Sequence, residues 1–509
     1  RELGGELGAL APPIAAALVM GRTELTATAR FDESFSPREV EGKLSTATIR
    51  SDFAAKIEPD LSHVEAGASV HLSAGEGAMI GLELPDRLVS VGATTLELRA
   101  SGTPDALDVT ARLAAASLGT TEARLQGLTL RLTGEDLDTG ASDLVLPFAL
   151  TLEADRLEPL ADGMEMLAGP LSLAANGTAH AASGRLDLQN SRLTLQGIEA
   201  GVTGSVSADE IDTAFKLAVA DLARFDPRIA GAVTLEGTAQ GTTAAPDIEA
   251  NASAPRLTLA GKPVTDLTVS VSASTARDAL SASLRAKGSV DGNPLEGALD
   301  IRPEGNGLAI PDLAISAGEN RISGSFAVTD LADAIGTLTG ELTIDAPDLS
   351  EFSALALTEL EGALSGKLTL ARGDVGTPSA QLNLSGKELA VAGTRIARLD
   401  ARGRSTGPLS APALSGEAEL SGVVAGGTAI QNLKATAVTA GTATDVTVDA
   451  RLSDGTNADG IALTATLEPQ DAGLVVKLAT LDGRYGGLAT RLAEPARIIV
   501  ANGGALIDT

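Results

Sequence analysis

Apolar and polar residues alternate along almost the whole chain, as in Leu128, Leu130 and Leu132, Phe148, Leu150 and Leu152, and Leu463, Ala465 and Leu467. A period of two puts the apolar side chains on one face of a strand and Thr, Ser, Asp, Glu, Lys or Arg on the other, the pattern of a half-buried antiparallel sheet. Glycines punctuate these runs. Gly261, Gly393 and Gly427 each open a cassette with an aliphatic residue three positions on (Val264, Ile396, Ile430) and a leucine six positions on (Leu267, Leu399, Leu433). Each cassette reads as a tight turn feeding a strand, and Asp291-Gly292 reads as a two-residue hairpin turn. At roughly 10 to 12 residues per strand and turn, the chain supplies about 40 strands.

Helical signal is thin. Two short segments, Asp221 to Phe225 and Asp348 to Phe352, share an Asp-Leu-x-x-Phe pattern in which the aspartate acts as an N-cap. They lie 127 residues apart and the Gly261 and Gly393 cassettes 132 apart, so a long repeat with a small indel is expected. The boundaries read as a short helical lead-in over 1–20, a β segment over 21–220, a repeat over 221–347, and its second copy with a continuation over 348–509. The expected fold class is all-β: an elongated, curled, mainly antiparallel sheet with a few short helices. Such a sheet must hide its apolar face by packing on a second sheet, closing a barrel, or curling into a trough for apolar ligands. Aromatic residues are only 2% of the chain and tryptophan is absent, so the face is a smooth aliphatic wall suited to the trough; a dry core between two sheets is the alternative.

A net charge of −29, with the acids scattered, disfavours nucleic acid as a partner. Cysteine is absent, which removes thiolate catalysis and cysteine-type zinc sites. The apolar run from Leu10 to Met20 is about half of the roughly 20 residues that cross a bilayer, and Pro12 and Pro13 interrupt it. With Arg1 at its start, the chain reads as a fragment whose export signal or anchor lies upstream.

Candidate chemistry is sparse. His63, His71 and His180 read as polar-face residues rather than metal ligands, with His180 standing alone. Gly134 to Asp138 and Asp454 to Asp459 read as solvated hairpin turns, since neither supplies the full ligand pattern of a calcium loop. Gly362 to Lys367 reads as a hairpin, its glycines too close for a phosphate loop. There is no Gly-x-Ser-x-Gly elbow. No catalytic residue, cofactor or metal is expected, and the chain is not expected to be an enzyme.

The run Leu308-Ala-Ile310-Pro-Asp-Leu313-Ala-Ile315-Ser-Ala-Gly318-Glu-Asn320-Arg-Ile322-Ser-Gly324-Ser-Phe326 is a strand, a Gly-x-Asn turn and a return strand. Together with Ile430-Gln-Asn432-Leu433 and the two Asp-Leu-x-x-Phe bridges, it resembles the AsmA-like superfamily, most of all its TamB group of translocation and assembly proteins. The likeness extends in style over nearly the whole chain, on short, degenerate motifs. It implies a repeating β-groove of the Gram-negative periplasm that carries phospholipid between inner and outer membranes and supports outer-membrane protein assembly. The groove would be lined by Leu186, Leu188, Leu193, Leu195, Leu257, Leu259, Leu267, Val269, Val271, Leu368, Leu370, Leu382 and Leu384. Gly261, Gly393, Gly427, Gly318 and Asn320 would shape its turns. Implied partners are phospholipid acyl chains, an outer-membrane barrel of the TamA or BamA type, and the inner membrane through an N-terminal anchor; neither that anchor nor the family's C-terminal domain is recognisable in this sequence. Two other functions fit the same pattern: a chaperone that adds client strands to its sheet edges, and a surface adhesin of stacked β repeats.

Overall fold

A computed structural model describes residues 23–508 except 59–61, 76, 85–86, 142, 162, 276–279, 373–376, 408–412, 453–458, 471–472, 486–487 and 502–503. The helical lead-in over 1–20 and most of the acidic stretch Asp454 to Asp459 therefore lie outside the described residues. The chain forms two compact units, Arg1–Phe225 with Val233–Ile248, and Asp226–Ala232 with Glu249–Thr509.

Both units are antiparallel sheet, built by pairing each strand with its sequence neighbour. Two departures occur: the hairpin Ile80–Leu84 and Arg87–Val91 leaves Val64–Leu72 to pair directly with Thr94–Thr103, and the short strand Ile229–Gly231 is passed over, so that Glu210–Val219 pairs with Val233–Thr242 while Ile229–Gly231 pairs with Ala245–Leu259. The hairpin is anchored on Ala106–Gly119 through Ser90 and Val91. In the second unit the succession runs unbroken from Lys262–Ser274 to Gly473–Tyr485. The described residues hold 34 strands, fewer than the sequence spacing suggests, because many run to 13–15 residues, as in Ala123–Leu137 and Leu360–Arg372. Two expected turns are absorbed into those strands. Gly134 to Leu137 continues Ala123–Leu137, with Asp136 at φ 55 donating its backbone N–H to Asp108 at 3.2 Å. Gly362 to Lys367 lies inside Leu360–Arg372, where Gly362, at φ 94, makes a bulge against the Glu388 carbonyl. A glycine in a long strand marks a bulge or close approach as readily as a turn.

Five of the tight turns share one geometry. Gln196-Gly197, Ala260-Gly261, Asp291-Gly292, Ala392-Gly393 and Gly426-Gly427 all have positive φ at both central positions, the type I′ geometry whose twist matches that of the strands. The four in the second unit lie on one rim of its sheet, since every second connection of an antiparallel succession returns to the same side. Gly393 sits at φ 80, so Gly393→Val forces a β-branched residue into the left-handed region. Its expected cost is about 1–2 kcal/mol, read as a lower urea midpoint at unchanged slope.

Each unit carries one of the Asp-Leu-x-x-Phe bridges at a rim of its own sheet. Asp221 and Asp348 cap short 3₁₀ turns by accepting from the N–H groups of Ala223 and Ser350, each at 3.0 Å. Each bridge is latched to the turn about two strands back. Arg224 donates to the carbonyl and side-chain oxygen of Gln196, which donates to the Ala168 carbonyl at 2.7 Å. In the second unit the polarity is reversed. Asn320 and Asn293 donate to the Glu351 carboxylate, Asn320 also donates to the Ala317 carbonyl at 2.9 Å, and its oxygen accepts from Asp348 N–H at 2.9 Å. Here the bridge is a plug: Phe352 is 5% exposed, over a rim core in which Val264, Val290 and Ala317 are 0% exposed. Its helical continuation Ser353–Ala356 reaches across to pack on Lys262–Ser274, so this part of the sheet is curled. Phe225, the counterpart of Phe352, remains 43% exposed. The first unit's own rim core is Ala115, Leu128 and Ala154, with Leu113, Leu118, Leu125, Leu152 and Leu171 against it.

Candidate functional site

Cross-strand register converts the alternating pattern into continuous rows. In the first unit one row passes from Val70 through Leu96, Leu113, Leu130, Leu152, Leu173, Leu193, Ala200 and Leu217 to Leu235, each residue directly opposite the next. In the second unit a row passes from Val271 through Leu284, Leu299, Leu313, Gly324, Leu342 and Leu368 to Leu382. A parallel row there runs from Val269 through Ala286, Gly297, Ile315, Ile322, Ile344 and Gly366 to Leu384. No member of these rows is charged. Away from the rim cores the rows are neither dry nor bare: every member in the first unit is half-buried, shielded by lateral neighbours. Apolar side chains on this face stay in reach of solvent, Leu98 being 42% exposed in the first unit and Leu382 39% in the second.

The thirteen lining candidates fall into three groups. Leu186, Leu188, Leu193, Leu259, Leu267, Val269, Val271, Leu368, Leu370 and Leu384 are half-buried on the apolar face, and Leu382 is 39% exposed there. Leu195 and Leu257 are buried near the rim, beside Ile198 and Gly231, and belong to the packed edge. Gly261, Gly393 and Gly427 occupy second positions of I′ turns. Gly318, at φ 57, begins its turn under Glu351; a Cβ there would meet the Glu351 carboxylate, so the latch needs glycine as well as Asn320.

Two features escape the alternation rule. Glycines and alanines share the apolar rows with the leucines, and Gly366 is required because a Cβ would come within 2.8 Å of the Asn383 carbonyl oxygen, a backbone atom that cannot swing aside. In the first unit, a run of alanines next to Phe53 and Leu98 opens a concavity of about 470 Å³ on the apolar face. The available signal was small residues recurring at alternate positions on successive strands, Ala66 and Ala68 being one instance.

The opposite face is polar and laced with ion pairs such as Lys367 to Glu341 at 2.7 Å and Lys434 to Glu419 at 2.5 Å. They are solvent-exposed and serve solubility more than stability. The Arg228 guanidinium holds the Asp226 carboxyl down to about 2. His180 is not isolated as its sequence position suggested: Asp187 lies 3.1 Å and Asp143 3.7 Å from its ring nitrogens, and Arg185 holds the Asp187 carboxyl below its usual range. His71 bonds Thr95 at 3.0 Å across the strand pair. Among the described residues no group of three His, Asp or Glu is arranged to hold a metal ion, and no helix is long and apolar enough to cross a membrane.

No known family model matches the chain, and no curated protein matches it either.

Proposed function

We propose that this chain is a non-enzymatic lipid carrier, a periplasmic segment of an AsmA-like protein of the TamB kind that moves phospholipid between inner and outer membranes. Acyl chains lie on the uncharged rows and headgroups stay in water. The observation that carries the reading is the half-buried state of rows that hold no charge over many successive strands. Burying a methylene stabilises by about 0.8 kcal/mol, so a 16-carbon chain covered on one side gains roughly half of 12 kcal/mol. That suffices to hold a lipid tail without trapping it, because a bilayer covers the same tail on all sides. In the cell this reading places the protein with the inner membrane at one end and a barrel of the TamA or BamA type at the other, in support of outer-membrane protein assembly.

The test is lipid extraction from the purified chain followed by mass analysis. Phospholipid is expected to co-purify, and because the rows carry no titratable group, retention is expected to be flat from about pH 5 to about 8 and insensitive to salt. Material free of lipid, or lipid shed by salt alone, counts against the proposal.

A further inference from the structure

The concavity of about 470 Å³ in the first unit differs from the rest of the apolar face. Ala55, Ala66, Ala68, Ala100 and Ala111 point inward from four adjacent strands, Ile49–Ile57, Val64–Leu72, Thr94–Thr103 and Ala106–Gly119. One row away the same strands carry Val70, Leu96 and Leu113. Replacing leucine by alanine removes an isopropyl group at each position, so the floor of the face drops by about one branched side chain. Phe53 closes one end, its ring lying over Gly42, where a Cβ would come within 2.4 Å of Phe53 Cζ. Leu98, 42% exposed, and Leu132 stand at the sides and leave the recess open to entry.

The backbone around the recess decides what can occupy it. All four strands are paired on both sides, so no free N–H or C=O is offered to a guest. A polypeptide segment laid here would bury its own amide groups without partners, a costly arrangement. A hydrocarbon has no such groups to satisfy, and no inward side chain presents a charge for a polar headgroup. We propose that this alanine-floored recess is a resting site for one lipid acyl chain, held there longer than on the leucine rows. The proposal rests on the lipid reading above and adds a location to it.

A phosphatidylethanolamine carrying a photoreactive diazirine on one 16-carbon acyl chain, crosslinked to the full chain and mapped by peptide mass spectrometry, tests it. Label is expected to be several-fold enriched on the strands of Phe53 and Leu98 over those of Leu152 and Leu173. Filling the recess with Ala68→Leu and Ala111→Leu, which restore the pattern of the neighbouring row, should cut that label about tenfold and leave the rest unchanged. Ala68→Trp provides a second, larger fill, and circular dichroism reports whether each variant keeps its sheet. Even labelling that ignores both fills overturns the resting site while leaving the lipid reading intact. Preferential crosslinking of an apolar peptide at the recess overturns the choice of hydrocarbon, and absence of lipid label from the whole apolar face overturns the lipid reading itself.

Discussion

Leu384→Asp is expected to abolish lipid retention across the middle of the second unit while the chain stays folded. Leu384 is half-buried and lies between Gly366 and Ala401 in its row, so water reaches the position and the carboxylate remains hydrated in the empty protein. The folding cost should stay within about 1 kcal/mol, the lost transfer of a partly covered side chain. An acyl chain laid over the row strips that hydration with no cation or donor to replace it. Burying a carboxylate without a partner costs several kcal/mol, enough to lower occupancy by a factor on the order of 10² to 10³. Because the row is a succession of similar positions, one forbidden position interrupts it. Native mass spectrometry of bound phospholipid checks this, with Leu384→Met as the apolar control, which should retain lipid like the parent. Equal lipid in the Asp and Met variants would show that Leu384 touches no tail.

Strand content and face polarity were legible because they depend on a local rule. Leu382 and Leu384 alternate with polar residues in sequence, and the sheet places them on one face. The caps of the bridges were legible for the same reason, since Asp221 and Asp348 act on N–H groups two residues away. Register was not legible. Only the pairing of Leu368 with Leu382, and of Gly366 with Leu384, turns separate strands into rows, and pairing joins residues distant in sequence. Interior glycines were misassigned where bulges and turns make the same demand on φ, as at Gly362. Nor does periodicity separate Leu195 and Leu257 from Leu193 and Leu259: all four have apolar-face positions, yet two are sealed at the rim by packing that the sequence does not announce.

Asn320→Ala is expected to destabilise the second unit by about 2–4 kcal/mol, the largest loss from any single polar side chain in the rim. Asn320 is completely buried, and its amide is fully used: it donates to the Ala317 carbonyl and to Glu351, and it accepts from Asp348 N–H. Truncation therefore strands three partners at once, one of them a carboxylate left with Asn293 alone. An unsatisfied buried group costs more than the hydrogen bond it made, because desolvation is not refunded. Asn320→Asp should be at least as damaging, since it sets a second carboxylate against Glu351 while keeping the size of the side chain. Glu351→Gln should be milder, near 1 kcal/mol, because it keeps an acceptor oxygen for one of the two asparagine amides at a position that is only half-buried. Urea unfolding gives the order of the three midpoints, and limited proteolysis between Asp348 and Leu360 reports whether the plug loosens first. A wild-type midpoint for Asn320→Ala would mean that Phe352 holds the plug by apolar contact and that the latch is dispensable.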